Sequence, residues 1–91
     1  MRIRSILNKL FWHQNYVREN YEVIFVHRGA LNNIKSIPVS LITKIGKESF
    51  EYQDYYGKIH IPFHRIILIR NIKTGEILWR RKPNENKNIS Y

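Results

Sequence analysis

From Tyr21 onward the chain is a succession of short runs rich in β-branched and aromatic residues, each cut by glycine, proline or a polar turn. Such runs read as strands, and the brief connections between them favour antiparallel hairpins over parallel crossovers. Tyr21–His27 sets Tyr21, Val23, Phe25 and His27 on one face and Glu22, Ile24, Val26 and Arg28 on the other. Both faces are largely apolar until the end, which predicts a central strand covered on both sides. Leu41–Ile45 and Glu48–Gln53 form a hairpin about Gly46-Lys47. Lys58–Ile61 follows Tyr56-Gly57 and stops at Pro62. Arg65–Ile72 carries the run Ile66-Ile67-Leu68-Ile69, and Lys73-Thr74-Gly75 turns it into Glu76–Arg81.

Ahead of the strands, Ile3, Ile6, Leu7, Leu10 and Phe11 repeat at the spacing of one helical stripe, with Ser5 as the expected N-cap and Trp12 closing the segment. The expected fold is therefore α+β: an N-terminal helix packed on a curled, mainly antiparallel sheet of five or six strands. Short, closely spaced strands tend to close, so a small SH3- or Sm-like barrel is the limiting form. With 91 residues there is room for one domain, expected over 1–82. Residues 83–91 hold three Asn without periodicity and read as a flexible tail.

Sixteen Lys and Arg stand against seven Asp and Glu, a formal charge of +9. Such a balance repels itself in the compact state, and a polyanionic partner is its usual reason. The absence of Cys excludes disulfides and thiolate metal sites. No run approaches the ~18 apolar residues of a membrane span, and no apolar segment follows the charged start as a signal peptide would require. A cytoplasmic protein with no membrane partner and no cofactor is expected.

Two His-Arg pairs stand at strand–turn junctions: His27-Arg28, followed by Gly29, and His64-Arg65, preceded by Phe63. Arginine offers a planar fork for two phosphate oxygens, and histidine adds a donor that is cationic when protonated. Gly29 allows close backbone approach to a ligand. Trp12, Tyr55, Tyr56, Phe63 and Trp79 are the aromatic faces on which an unpaired base could stack, and Arg80 and Arg81 follow Trp79. Within a strand, Trp79 reads as core first. Tyr55, Tyr56 and Phe63 read as exposed.

Phosphate-binding glycine loops, nucleophile elbows and paired-histidine metal motifs are missing, and Pro62 separates His60 from His64, so no metal site is expected. The one catalytic reading uses His27 and His64 as acid and base on an RNA phosphodiester. A sequence-independent DNA-coating protein is the other alternative to an RNA-binding module.

Ile3-Arg4 and Leu7-Asn8 up to Trp12, then His27-Arg28-Gly29-Ala30, Ile61-Pro62-Phe63-His64-Arg65-Ile66 and Leu78-Trp79-Arg80-Arg81, occur in the order and spacing of a known family. In these blocks the chain resembles the small, mainly archaeal RNA cyclic-group end recognition domain over about residues 1–81. The resemblance implies a module for RNA termini bearing a 2′,3′-cyclic phosphate, with single-stranded RNA and an RNA-processing enzyme as partners. Its polar positions match Asn8, His27, Arg28, His64 and Arg65 here. Ser5 stands where the family commonly has an acid, and Phe63 where it commonly has Tyr. The candidate RNA- and phosphate-binding set is therefore Asn8, His27, Arg28, Gly29, Phe63, His64, Arg65, Arg80 and Arg81.

Overall fold

The computed structural model describes residues 2–81. Helix α1 (Arg2–Trp12) forms on its apolar stripe: Ile3, Leu7 and Leu10 are buried, while Ile6 and Phe11 pack against the same core. Ser5 does not cap it. Burial of Ile3 draws the first turn in ahead of Ser5, which lies exposed inside the helix.

Seven strands follow: β1 (Tyr21–Val26), β2 (Ile34–Pro38), β3 (Ile42–Ile45), β4 (Ser49–Asp54), β5 (Gly57–Pro62), β6 (Ile66–Asn71) and β7 (Ile77–Arg80). They make two antiparallel sheets, ordered β2-β1-β6-β7 and β3-β4-β5. The α+β class and the hairpins stand as expected, with β1 central in its sheet. The strand count and the barrel do not: there are seven strands, and two sheets stand in place of one closed sheet.

The reason lies in a repeated tripeptide. Ile37-Pro38-Val39 ends β2, and Ile61-Pro62-Phe63 ends β5. In both, the residues flanking proline are buried and a single 3-10 turn follows, Val39–Leu41 or Phe63–Arg65. Proline has no N–H for a sheet ladder, so pairing stops there and the chain steps across to the other sheet.

Between the sheets, Phe25 meets Phe50 and Tyr52 at ring-centroid separations of 6.0 and 5.9 Å. Lys35, opposite Phe25 in the β1–β2 register, turns inward and sets its Nζ 5.6 Å from the Tyr52 ring centre. Glu22, the buried acid at the start of β1, accepts hydrogen bonds from Ser36 Oγ (2.7 Å) and Arg70 Nε. These groups tie β1 to both neighbours. No helix among the described residues is long and apolar enough to cross a membrane. Residues 83–91, expected as a tail, lie outside the described residues.

Candidate nucleic-acid interface

The β1–β6 pairing decides how the two His-Arg corners relate. These strands run antiparallel, with Phe25 opposite Ile66. Carrying that register two residues on sets His27 level with the His64 turn. Neighbouring strands lie about 4.8 Å apart, so corners far apart in sequence become neighbours at one end of the four-stranded sheet. The next strand joins them. Leu68 pairs with Arg80, and the Arg81 N–H donates to the Ile67 carbonyl at 3.0 Å. Arg81 Nη2 donates to the His64 carbonyl at 2.5 Å, so this guanidinium clamps the end of β7 onto the second corner.

Local sequence shapes each corner. The Ala30 N–H donates to the His27 carbonyl (3.1 Å), and Gly29 has φ +92° while Arg28 does not enter the positive-φ region. That pattern is a type II turn, which requires glycine at its third position and leaves Arg28 exposed at its tip. The His27 N–H then donates to the Asn33 carbonyl (2.8 Å), closing the loop onto β2. Asn32 and Asn33 hold the left-handed conformation at φ 60° and 58°, which asparagine tolerates better than most residues. The His27 ring stands edge-on to Phe25, at 6.1 Å between centroids, at the margin of the core.

At the second corner, His64 and Arg65 are exposed within the 3-10 turn. Phe63 is not. It is 3% exposed, and its N–H donates to the Glu48 carbonyl at 2.8 Å. Alternation along β5 turns Ile61 and Phe63 inward, so the expected stacking face belongs to the core. Phe63 and His64 line a shallow hollow with Lys47 and Glu48. Among the described residues, Arg28, Arg65 and Arg80 have no carboxylate within ion-pair distance. Glu19 and Glu22 at the start of β1 and Glu76 beyond β6 sit away from this end, while Glu48 lies beside His64.

The remaining aromatic candidates divide. Trp79 is half-buried against the core, as the strand pattern suggested. Trp12 is 72% exposed, and Tyr55 and Tyr56 form the tip of the β4–β5 hairpin at 91% and 87%. Asn8 is half-buried on α1, four residues from Arg4, whose Nε donates to the Gly46 carbonyl (2.9 Å). Among the described residues, no hydrogen bond joins the Asn8 amide to either corner.

One polar constellation was missed. Ser49 Oγ lies 2.7 Å from His60 Nε2, and His60 Nδ1 faces Glu51 Oε2 at 3.5 Å. The two-residue loop at Tyr55-Tyr56 fixes the register that sets Glu51 opposite His60, so the hairpin prediction already contained the pair. With its side chain 63% exposed, His60 has solvent around it, and the chain shares only its connectivity with a catalytic triad.

A small α+β domain that sets arginines, unpaired with acids among the described residues, and two imidazoles at one end of a sheet fits the class of basic nucleic-acid-binding domains. Sequence comparison narrows the class. The chain belongs to the MJ1316 RNA cyclic group end recognition domain family, which matches residues 1–81. It is 45% identical over 80 residues to the UPF0248 protein MJ1316 of Methanocaldococcus jannaschii, covering 88% of this chain and 94% of that protein. A UPF0248 protein of Methanococcus maripaludis is 41% identical over 80 residues, with 88% and 99% covered. The UPF0248 protein PF1300 of Pyrococcus furiosus is 32% identical over 80 residues, with 88% of each chain covered. No solved structure matches the chain.

Proposed function

We propose that this protein binds single-stranded RNA ends through the joined His-Arg corners, holding a terminal 2′,3′-cyclic phosphate there. The observation that carries this reading is the β1–β6 register, which brings Arg28 and Arg65 to the same end of one sheet. A cyclic phosphate is a compact monoanion with two free oxygens, a match for one bidentate guanidinium, with imidazole and backbone donors around the ring. The arginine clamp on His64 presents that corner in a fixed position. The family name, which specifies recognition of RNA cyclic group ends, supports the choice of ligand. The neighbouring arginines supply the attraction to upstream phosphates that a single terminal charge lacks.

The test is a comparison of affinities for one RNA sequence ending in a 2′,3′-cyclic phosphate or in a hydroxyl. The wild-type protein should prefer the cyclic end. Arg28→Ala and Arg65→Ala should each abolish that preference while retaining the binding common to both ends. Variants that still discriminate like the wild type would place the end pocket elsewhere.

A further inference from the structure

The outer face of the β4–β5 hairpin joins the corner to the tyrosine tip. At one end of the hairpin Ser49 pairs with Pro62, next to the Phe63–Arg65 turn. At the other end Asp54 pairs with Gly57, and the loop between them is Tyr55-Tyr56. Tyr55 and Tyr56 stand edge to face with centroids 5.0 Å apart, and both rings are almost wholly exposed. The Tyr56 N–H donates to Asp54 Oδ1 (2.7 Å), and Gly57 takes φ +128°, so the turn holds both tyrosines out without straining either. Between tip and corner, Lys58 and His60 alternate outward along β5, with Lys44 opposite Glu51 on the same face. The acids along this path are Glu51, which faces His60, Asp54 in the tip turn and Glu48 at the corner.

An exposed aromatic pair contributes nothing to the core; its two ring faces offer what an unpaired base needs, and the Lys58 ammonium one residue beyond the turn can meet a backbone phosphate. We propose that this face is a track for the single-stranded RNA upstream of its bound end, with Tyr55 and Tyr56 stacking on its bases. The inference rests on the proposed end-binding reading for its direction. Tip and corner are separated by the length of β5, about 17 Å at ~3.3 Å per residue. A strand stacked at ~3.4 Å per nucleotide crosses that span in about five nucleotides, and an extended strand in fewer.

The experiment measures affinity for oligoadenylates from dinucleotide to octanucleotide, each made with a cyclic phosphate end and with a hydroxyl end. Wild-type affinity should climb with length until the strand reaches the tip, then level off. The double variant Tyr55→Ala/Tyr56→Ala should bind the dinucleotide as the wild type does and lose the gain with length, on the order of tenfold per tyrosine. Tyr55→Phe/Tyr56→Phe should retain the gain, because it keeps both rings. A wild-type affinity independent of length, or an alanine variant with the full gain, overturns the track. Loss of the cyclic-end preference overturns only the end-binding reading, since the hydroxyl-ended series still reports the tyrosines.

Discussion

If the sheet end binds RNA, where a charge sits should matter more than how many charges there are. Salt dependence can separate the two. Four arginines lie at or near this end by strand register: Arg28, Arg65, Arg80 and Arg81. Each single-strand phosphate neutralised contributes about −0.7 to the slope of log affinity against log salt, so four contacts predict a slope of about −2.8. Removing Arg28 or Arg65 by alanine substitution should bring it to about −2.1. Lys73 lies beyond β6 at the opposite end of that sheet, beside Glu76 in the β6–β7 turn. Lys73→Ala removes the same formal charge and should leave the slope where it was. Fluorescence anisotropy with a short labelled RNA across a salt series reads all three proteins. If Lys73→Ala flattens the slope as much as Arg65→Ala does, binding follows net charge and the localised site is refuted.

Two further substitutions test the frame around the site. Phe63→Leu keeps an apolar side chain in the core, so it should cost about 1–1.5 kcal/mol in urea denaturation and leave RNA affinity unchanged; lost affinity in a folded variant would return Phe63 to the binding surface. Glu22→Ala removes two hydrogen bonds to the carboxylate, one of them from a partly exposed arginine, and should cost about 1.5–2.5 kcal/mol with unaltered RNA binding; a loss below about 0.5 kcal/mol would show that the cluster does not hold β1 to its neighbours.

Most elements were legible in the sequence because their causes are local. The apolar stripe set α1, and glycine at the turns set the hairpins. What the sequence left open depends on contacts between distant segments. Nothing near His27 reveals that Ile66 pairs with Phe25, so the meeting of the corners had to come from the register. Phe63 reads as exposed from its place beside His64, yet it is buried. Pro62 ends one sheet and turns the next residue into the core, as Pro38 does at Val39. The Ser49–His60–Glu51 chain was within reach, since the tyrosine turn fixes which residues face each other.

The inward lysine bears on how this protein meets other copies of itself. β2 is the outermost strand on its side of the four-stranded sheet, so its free flank is a template on which a foreign strand could extend the ladder. The template is poor. β2 has five residues, one of them Pro38 without an N–H, and Lys35 sends an ammonium group toward the core, where an added strand would have to bury it. Copies of the chain crowded together can therefore keep this sheet flank bare without fusing edge to edge.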